Sequence, residues 1–435
     1  EAAGDAAVEA ARGDPMLMGE QVRAAFAAWL RAEARRPVVL TIEDLHWGDL
    51  PSVNAIDVAL RELHDRPFLV VATARPEVRE LFPKLWASRG VVDVALHALA
   101  PRACAEIATD ALGAAATPEV VEALVARCEG NAFYLEELIR AVVDGGGDLG
   151  ALPATVVGTV QARLAALDGE ARRVLRAAAV FGEVFAVPGV ASVLGGGSGV
   201  FQLGEWIDDL TRRELIQPDR GEPGGLRFRH ALIRDAAYDM LTEDDRRIGH
   251  LLAAQWLERV GRREPLVLAG HYERGGDAAA AVRWYHAAVD DAVEGNDLAA
   301  VEERGERAVA AGAAGPVLGA VRCQQAIAAY WRSDYAAADR HGEAALGLLA
   351  VGSADWFRAA GAAIVAAARL GDYAAVDRRF EAALAAPCAP DAVAAQLICL
   401  CRGTFQLVFN GRLARADEIQ DRKSTRLNSS HDQIS

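Results

Sequence analysis

Lysine is almost missing from this chain: of 435 residues only Lys84 and Lys423 are lysine. Asp and Glu outnumber Lys and Arg by 61 to 46, so the net charge is −15. Gripping a phosphodiester backbone needs concentrated cations, so no direct nucleic-acid binding is expected. No apolar run approaches the roughly 18 residues of a membrane helix. No basic segment followed by an apolar one opens the chain, so no signal peptide is read. No membrane association is expected, and the expected compartment is the cytoplasm. The six cysteines (Cys104, Cys128, Cys323, Cys388, Cys399, Cys401) show no C-x-x-C spacing. Reduced core cysteines are expected rather than a metal or disulfide framework.

What remains is a globular composition. Hydrophobic residues make up 52% and charged residues 25%, enough to bury a large core. The length suggests two to four domains at roughly 100–200 residues each. Both ends look foreign to a complete protein. The chain opens at Glu1 in Ala-rich polar sequence. Residues 421–435, DRKSTRLNSSHDQIS, hold no alanine and four of the ten serines. That stretch resembles translated sequencing-library adapter and is read as no part of the fold. The chain is therefore expected to be a fragment.

The first chemical signal is local. Val22, Ala25, Phe26, Trp29 and Leu30 recur at helical spacing over residues 20–34. Pro37 follows, then an apolar run, Val38–Ile42, with the pattern of a buried strand ending in Glu43 and Asp44. A second run, Phe68–Thr73, ends at Arg75-Pro76-Glu77. Asp49 or Ser52 can cap a helix between them, reaching about Leu63. Strand, helix and strand make a parallel crossover unit. Ligands bind outside the carboxyl ends of such strands. An acid there can hold Mg²⁺ through water, a second can activate a water, and an arginine on the next strand can sense a γ-phosphate.

Residues 38–49, VVLTIEDLHWGD, resemble the Walker B segment of the AAA-related STAND signalling ATPases. Residues 72–77, ATARPE, resemble their sensor segment, and residues 130–138, GNAFYLEEL, their lid-helix signature. The family's usual proline in that signature is Ala132 here. The resemblance implies ATP and Mg²⁺ as cofactors: Glu43 at the metal position, Asp44 as the catalytic water-activating acid, and Arg75 as a nucleotide-contacting sensor. It also makes Asn131 a candidate nucleotide contact, although a cap or turn role is the simpler reading. His46 and Trp47 are expected to pack under the following helix. A phosphate-binding loop, G-x-x-x-x-G-K-[ST], does not occur, and no lysine precedes Glu43. Residues 1–98 thus read as the rear half of a STAND ATPase core without its phosphate loop.

Residues 99–149 read as a helical lid, with helices at 103–113, 117–128 and 133–143, and DGGGDLG (144–150) as linker. Residues 150–262 read as a winged-helix module. Helices near 154–167, 169–180 and 201–215 precede a hairpin of 216–218 with 226–229, and helices near 231–241 and 243–260 follow. RFRHALIRDAAYDML (227–241) resembles the segment after that module in STAND ATPases. The candidate recognition helix sets Glu205, Asp208, Asp209 and Glu214 against Arg212 and Arg213, the wrong balance for a groove reader. An internal switch role is favoured, with His230 as a packed or capping residue.

Residues 263–420 carry an internal echo: Gly276-Asp277, Asn296-Asp297, Ser333-Asp334, Gly371-Asp372 and Asn410-Gly411, each before an Ala-rich run. Asp297, Asp334, Asp372 and Gly411 are 37, 38 and 39 residues apart in turn. Two short helices fill that period, the pattern of a tetratricopeptide-like solenoid offering a surface to a protein partner. Trp284, Tyr285, Tyr330, Trp331, Trp356 and Phe357 are expected between helices. The expected fold is thus a partial α/β ATPase sheet followed by mostly α winged-helix and solenoid domains. The module order most resembles the region behind the kinase domain of large bacterial serine/threonine protein kinases. No H-R-D or D-F-G motif occurs in the chain itself. The same region of a LuxR-type regulator or a cyclase-linked ATPase, and a non-hydrolysing interaction scaffold, are the alternatives.

Overall fold

A computed structural model describes residues 15–144, 155–195, 203–219, 221 and 224–416. Residues 421–435, and the linker centred on 145–150, lie outside the described residues. The described residues are mostly helical, with two small sheets among them. The chain falls into two compact units: residues up to Val91 with Glu264–Ala269 and everything from Ala278 on, and Val92–Arg263 with Gly270–Asp277.

The first unit opens with α1 (Pro15–Glu33), β1 (Val38–Ile42), α2 (Leu50–Glu62), β2 (Phe68–Ala72) and α3 (Val78–Leu81). Asp49 is the cap of α2, accepting from the Ser52 amide at 2.7 Å, and Pro51 sits in the first turn where no amide is needed. β1 and β2 pair in parallel, Val38 opposite Phe68 through Ile42 opposite Ala72. Phe26, Val38, Leu40, Phe68 and Val70 turn to the helices, over a core of Leu30, Ala59, Val53 and Ile56. The strands are half-buried rather than fully buried. Val39, Leu69 and Val71 face outward, 57%, 56% and 45% exposed. The apolar run suits a sheet covered on both faces, and among the described residues helices cover one.

The same unit holds a stack of antiparallel helices: α14 (Ala278–Glu294), α15 (Leu298–Ala310), α16 (Gly315–Trp331), α17 (Tyr335–Leu348), α18 (Ala354–Leu370), α19 (Tyr373–Ala385) and α20 (Val393–Phe409). The recurring aspartate is a helix start. Asp297, Asp334 and Asp372 each accept from the amide three residues on, all at 3.0 Å. Alanines then let the helices close up. Tyr285, Trp356 and Phe357 are buried between helices, whereas Trp331, last in α16, points outward and is 48% exposed. At Gly403 a Cβ would lie 2.0 Å from the Phe380 ring, so α20 approaches α19 as only glycine allows. Contrary to the expectation from the sequence, one helical stretch among the described residues, Pro390–Phe409, is long and apolar enough, by length and composition, to cross a membrane. One of its sides packs into the stack through Ala395, Cys399 and Leu407.

The second unit contains α4 (Pro101–Leu112), α5 (Pro118–Cys128), α6 (Ala132–Asp144), α7 (Val156–Ala165) and α8 (Gly169–Ala179). β3 (Val184–Ala186), α9 (Val187–Val193), α10 (Leu203–Arg212), β4 (Ile216–Pro218), β5 (Gly225–Phe228), α11 (Ala231–Asp239) and α12 (Glu243–Arg259) follow. α13 (Pro265–Gly275) crosses from one unit to the other. β4 and β5 form the expected hairpin, and β3 adds a third antiparallel strand on the free edge of β5. His230 caps α11, its Nδ1 accepting from the Leu232 amide at 3.2 Å, and stacks on Phe133 at 3.8 Å between centroids.

A buried polar chain ties α11, α12 and α13 together in this unit. Tyr238 Oη lies 2.8 Å from His250 Nε2, and His250 Nδ1 lies 2.9 Å from His271 Nδ1. Only one proton fits between the two Nδ1 atoms, so the two rings cannot both be cations. Burial is the main cause of the low pKa values, pushing His250 down to about 3 and His271 to about 4. The His271 ring and the cations of Arg274 and Arg246 add to the shift on His250. In the unfolded chain both rings return to about 6.5 and take up protons below that pH. Stability should therefore be full above pH 6.5 and fall as pH drops toward the two folded values. The expected loss between pH 7.5 and 5.5 is about 2–3 kcal/mol. Urea midpoints at the two pH values measure it. The double variant His250→Gln with His271→Gln should flatten the difference, and an equal slope in wild type and variant would contradict this account.

Candidate functional site

The ends of β1 and β2 form the candidate site. Parallel pairing carries both chains out on the same side, so Glu43 and Asp44 leave β1 beside Thr73 and Arg75 leaving β2. Backbone bonds hold the two exits together: Thr73 N donates to Ile42 O at 2.8 Å and Leu45 N to Thr73 O at 2.9 Å. The Asp44 amide donates to Thr73 Oγ1 at 3.3 Å. Asp44 sits in the left-handed region, φ 52° and ψ 45°. Such backbone costs a non-glycine residue energy and is kept where surrounding contacts demand it. The turn aims Glu43, Asp44 and Arg75 into solvent; all three are exposed.

His46, expected only to pack under the following helix, is a further member of this corner. It is buried, 9% exposed, and its Nδ1 accepts from the Arg75 amide at 3.3 Å. Its Nε2 is also buried and has no hydrogen-bond partner among the described residues. Because Nδ1 accepts, the ring proton belongs on Nε2. His46 thus joins the turn after β1 to the turn after β2. Trp47, expected beneath the next helix, is instead 62% exposed and lies against His46, 5.1 Å between centroids. A three-residue turn, Leu45–Trp47, separates the strand from α2 and lets only Leu45 and His46 point inward.

Asn131 belongs to the second unit, at the start of α6. Its Oδ1 accepts from the Tyr134 amide at 3.0 Å, the ordinary bond of a helix cap. Glu129 and Gly130 before it both have positive φ, and a Cβ on Gly130 would lie 2.6 Å from Leu99 O. This sharp reversal exposes Asn131 on a cavity of about 670 Å³, lined also by Arg127, Glu129, Tyr134 and Thr155.

Charges in the second unit are largely spent on one another. Arg163 Nη1 bridges both oxygens of buried Glu137, at 2.7 and 3.0 Å. Glu136 on α6 takes Arg140 at 2.7 Å and Arg229 at 2.8 Å, and both arginines also reach Glu214 after α10. Burial pushes the Glu136 pKa up, but the two arginines outweigh it and the net shift is down. Arg212, last in α10, and Arg213, just after it, both pair with Asp209 of that helix.

A third cluster, Glu302, Glu306 and His341, brings three ligand-type atoms within 4.8 Å of one another in the helix stack. Arg322 fills it. Its Nη1 bonds Glu306, and lies 2.9 Å from Gln325 Oε1 and 3.2 Å from His341 Nδ1. His341 Nε2 faces Glu302 Oε1 at 3.1 Å. A guanidinium among the ligands makes this an ion-paired rivet between helix pairs, and a poor cation site.

No protein-family model, no curated protein and no solved structure matches the chain.

The His46 bridge has a measurable consequence. His46→Ala removes the acceptor for the Arg75 amide and leaves that amide and the Asp44 turn less restrained. Hydrogen exchange in residues 73–77 should accelerate by about 10-fold or more, the scale of one lost hydrogen bond. Unchanged exchange there would show that His46 does no more than fill space.

Proposed function

We propose that this chain is the regulatory, ATP-binding region of a large bacterial signalling protein, with the STAND-type module order read from its sequence. In this reading β1, β2 and their turns are the rear part of a nucleotide-binding core. The three-stranded sheet with α10 and α11 is a winged helix, and the helix stack is a tetratricopeptide-like array that receives a protein partner. A serine/threonine kinase is the favoured bearer of the region. One observation carries the proposal: two acids at the end of one parallel strand stand beside an arginine at the end of its neighbour.

The donor set suits the chemistry. Hard carboxylate oxygens are the ligands Mg²⁺ takes, and Glu43 would hold the ion, which offsets phosphate charge. Asp44 would draw a proton from water attacking the γ-phosphate, and Arg75 would offset charge on that phosphate. Two further points support the reading. The outward apolar residues Val39, Leu69 and Val71 fit a sheet that continues or is covered in a fuller core. Arg212 at the end of α10 and Arg213 just after it are both paired with Asp209, which favours an internal contact over a DNA groove.

The proposal requires a phosphate-binding loop, a motif these 435 residues do not contain. Calorimetric titration of the 435-residue chain with Mg·ATP should therefore show weak binding or none. In a protein that joins such a loop to these residues, Asp44→Asn should keep ATP bound but slow single-turnover hydrolysis by about 10²-fold or more. Glu43→Gln should instead weaken Mg²⁺-dependent binding. Wild-type occupancy and hydrolysis in both variants would make the acid pair structural and favour a protein-interaction scaffold.

A further inference from the structure

Cys104 and Cys128 stand 24 residues apart in sequence, and the bundle α4–α6 brings them together. Cys104 lies in the first turn of α4, and Cys128 is the last residue of α5. Both are buried in the apolar core of that bundle. Backbone contacts fix the spot. The Leu99 amide donates to Gly130 O at 2.8 Å, and Cys104 Sγ lies 3.9 Å from Leu99 O. Cys128 Sγ lies 3.4 Å from Val125 O. The two thiols are also within hydrogen-bonding reach of each other. Burial, and after it the neighbouring Cys128, raise the Cys104 pKa, so Cys104 rests as a thiol. Cys128 forms part of the wall of the cavity of about 670 Å³ beside Asn131. A small polar oxidant has a route to its sulfur through that cavity.

We infer that Cys104 and Cys128 are a redox pair, joined by a reversible disulfide when the chain meets hydrogen peroxide. Cys128, at the cavity wall, is the attacking group. Its thiolate sulfur takes one peroxide oxygen as the O–O bond breaks, leaving a sulfenic acid and releasing hydroxide, which takes up the proton lost by Cys128 and becomes water. The Cys104 sulfur then attacks the Cys128 sulfur. The S–S bond forms, the S–OH bond breaks, and that hydroxyl leaves as water with the Cys104 proton. In sum two thiols and one peroxide give one disulfide and two waters; the sulfurs lose two electrons and the peroxide gains them. Closing a thiol contact to the roughly 2.05 Å of an S–S bond asks mainly for rotation of the two side chains. Exchange with a thiol such as glutathione restores both cysteines, as suits a transient bond in a reducing compartment. The bond fastens α4 to the end of α5, directly before the turn of Glu129 and Gly130, both at positive φ, that presents Asn131 to the cavity. Oxidation therefore braces that turn, whatever occupies the cavity.

The test is a peptide map of the full wild-type chain, so it needs no variant that must fold. The chain is treated with about a fivefold excess of hydrogen peroxide, alkylated with iodoacetamide and cut with trypsin without reductant. Cleavage after Arg102, Arg127 and Arg140 puts Cys104 on peptide 103–127 and Cys128 on peptide 128–140. The expected main product is these two peptides joined, and dithiothreitol before alkylation should separate them. Cys323 and Cys399, buried thiols pushed up to about 12 by burial, should come back alkylated only after unfolding. The joined product should persist in the double variant Cys388→Ser with Cys401→Ser, which removes both exposed cysteines. In Cys104→Ser the reaction should stop at the Cys128 sulfenic acid, trapped by dimedone. Hydrogen exchange of the Asn131–Tyr134 amides should slow by about 10-fold in the oxidised chain. Recovery of Cys104 and Cys128 unoxidised, while Cys388 and Cys401 react, would overturn the inference. So would a joined product that forms only in urea, or Cys128 paired with Cys388 or Cys401 instead. Unchanged exchange at Asn131–Tyr134 would overturn the bracing of the turn.

Discussion

The parallel pairing of β1 with β2 is the constraint on which the candidate site depends. An antiparallel pair would send its two ends to opposite edges. A parallel pair needs a long return connection, here through α2, and sends both ends out together. That return sets the adjacent acids Glu43 and Asp44 on one edge with Arg75, which lies 31 residues beyond Asp44 in sequence. The left-handed turn at Asp44 and the His46 bond to the Arg75 amide then hold the two exits in register.

Elsewhere, among the described residues, several arginines are satisfied internally by ion pairs. Arg163, Arg140 and Arg229 join α6 and α7 to the residues around the hairpin through Glu136, Glu137 and Glu214. Arg379, buried in the helix stack, is shared by Asp339 and Glu343, and Arg322 fills the one cluster of metal-type ligands found among the described residues. Arginine suits these roles because its planar fork makes several bonds at once.

Much of the local structure was legible in the sequence because its causes are local. Asp49, Asp297, Asp334 and Asp372 announce helix starts through a bond that spans three residues. His230 was legible as a cap for the same reason. What could not be read depends on distant neighbours. β3 has three residues and no period, and it exists only because β5 offers an edge. Residue type says nothing about direction, so Trp47 and Trp331 were assigned to the interior and face solvent. The strands were read as covered on both sides because their composition permits it, while covering depends on what else is present. Of the site, the two acids and Arg75 were legible from strand ends. The role of His46 was not, since its bond to Arg75 crosses 29 residues. A buried polar side chain between two strand-end turns is the signal that could have found it.

The central claim is that the edge made by β1 and β2 is one nucleotide site rather than two unrelated turns. A double-mutant cycle between Asp44→Asn and Arg75→Ala tests it most directly, with single-turnover ATP hydrolysis as readout in a protein carrying the phosphate loop. Groups that act on one transition state are not additive. The account predicts that the double variant is slowed by no more than about threefold beyond the slower single variant. Losses that multiply in full would contradict it, because Asp44 and Arg75 would then act independently.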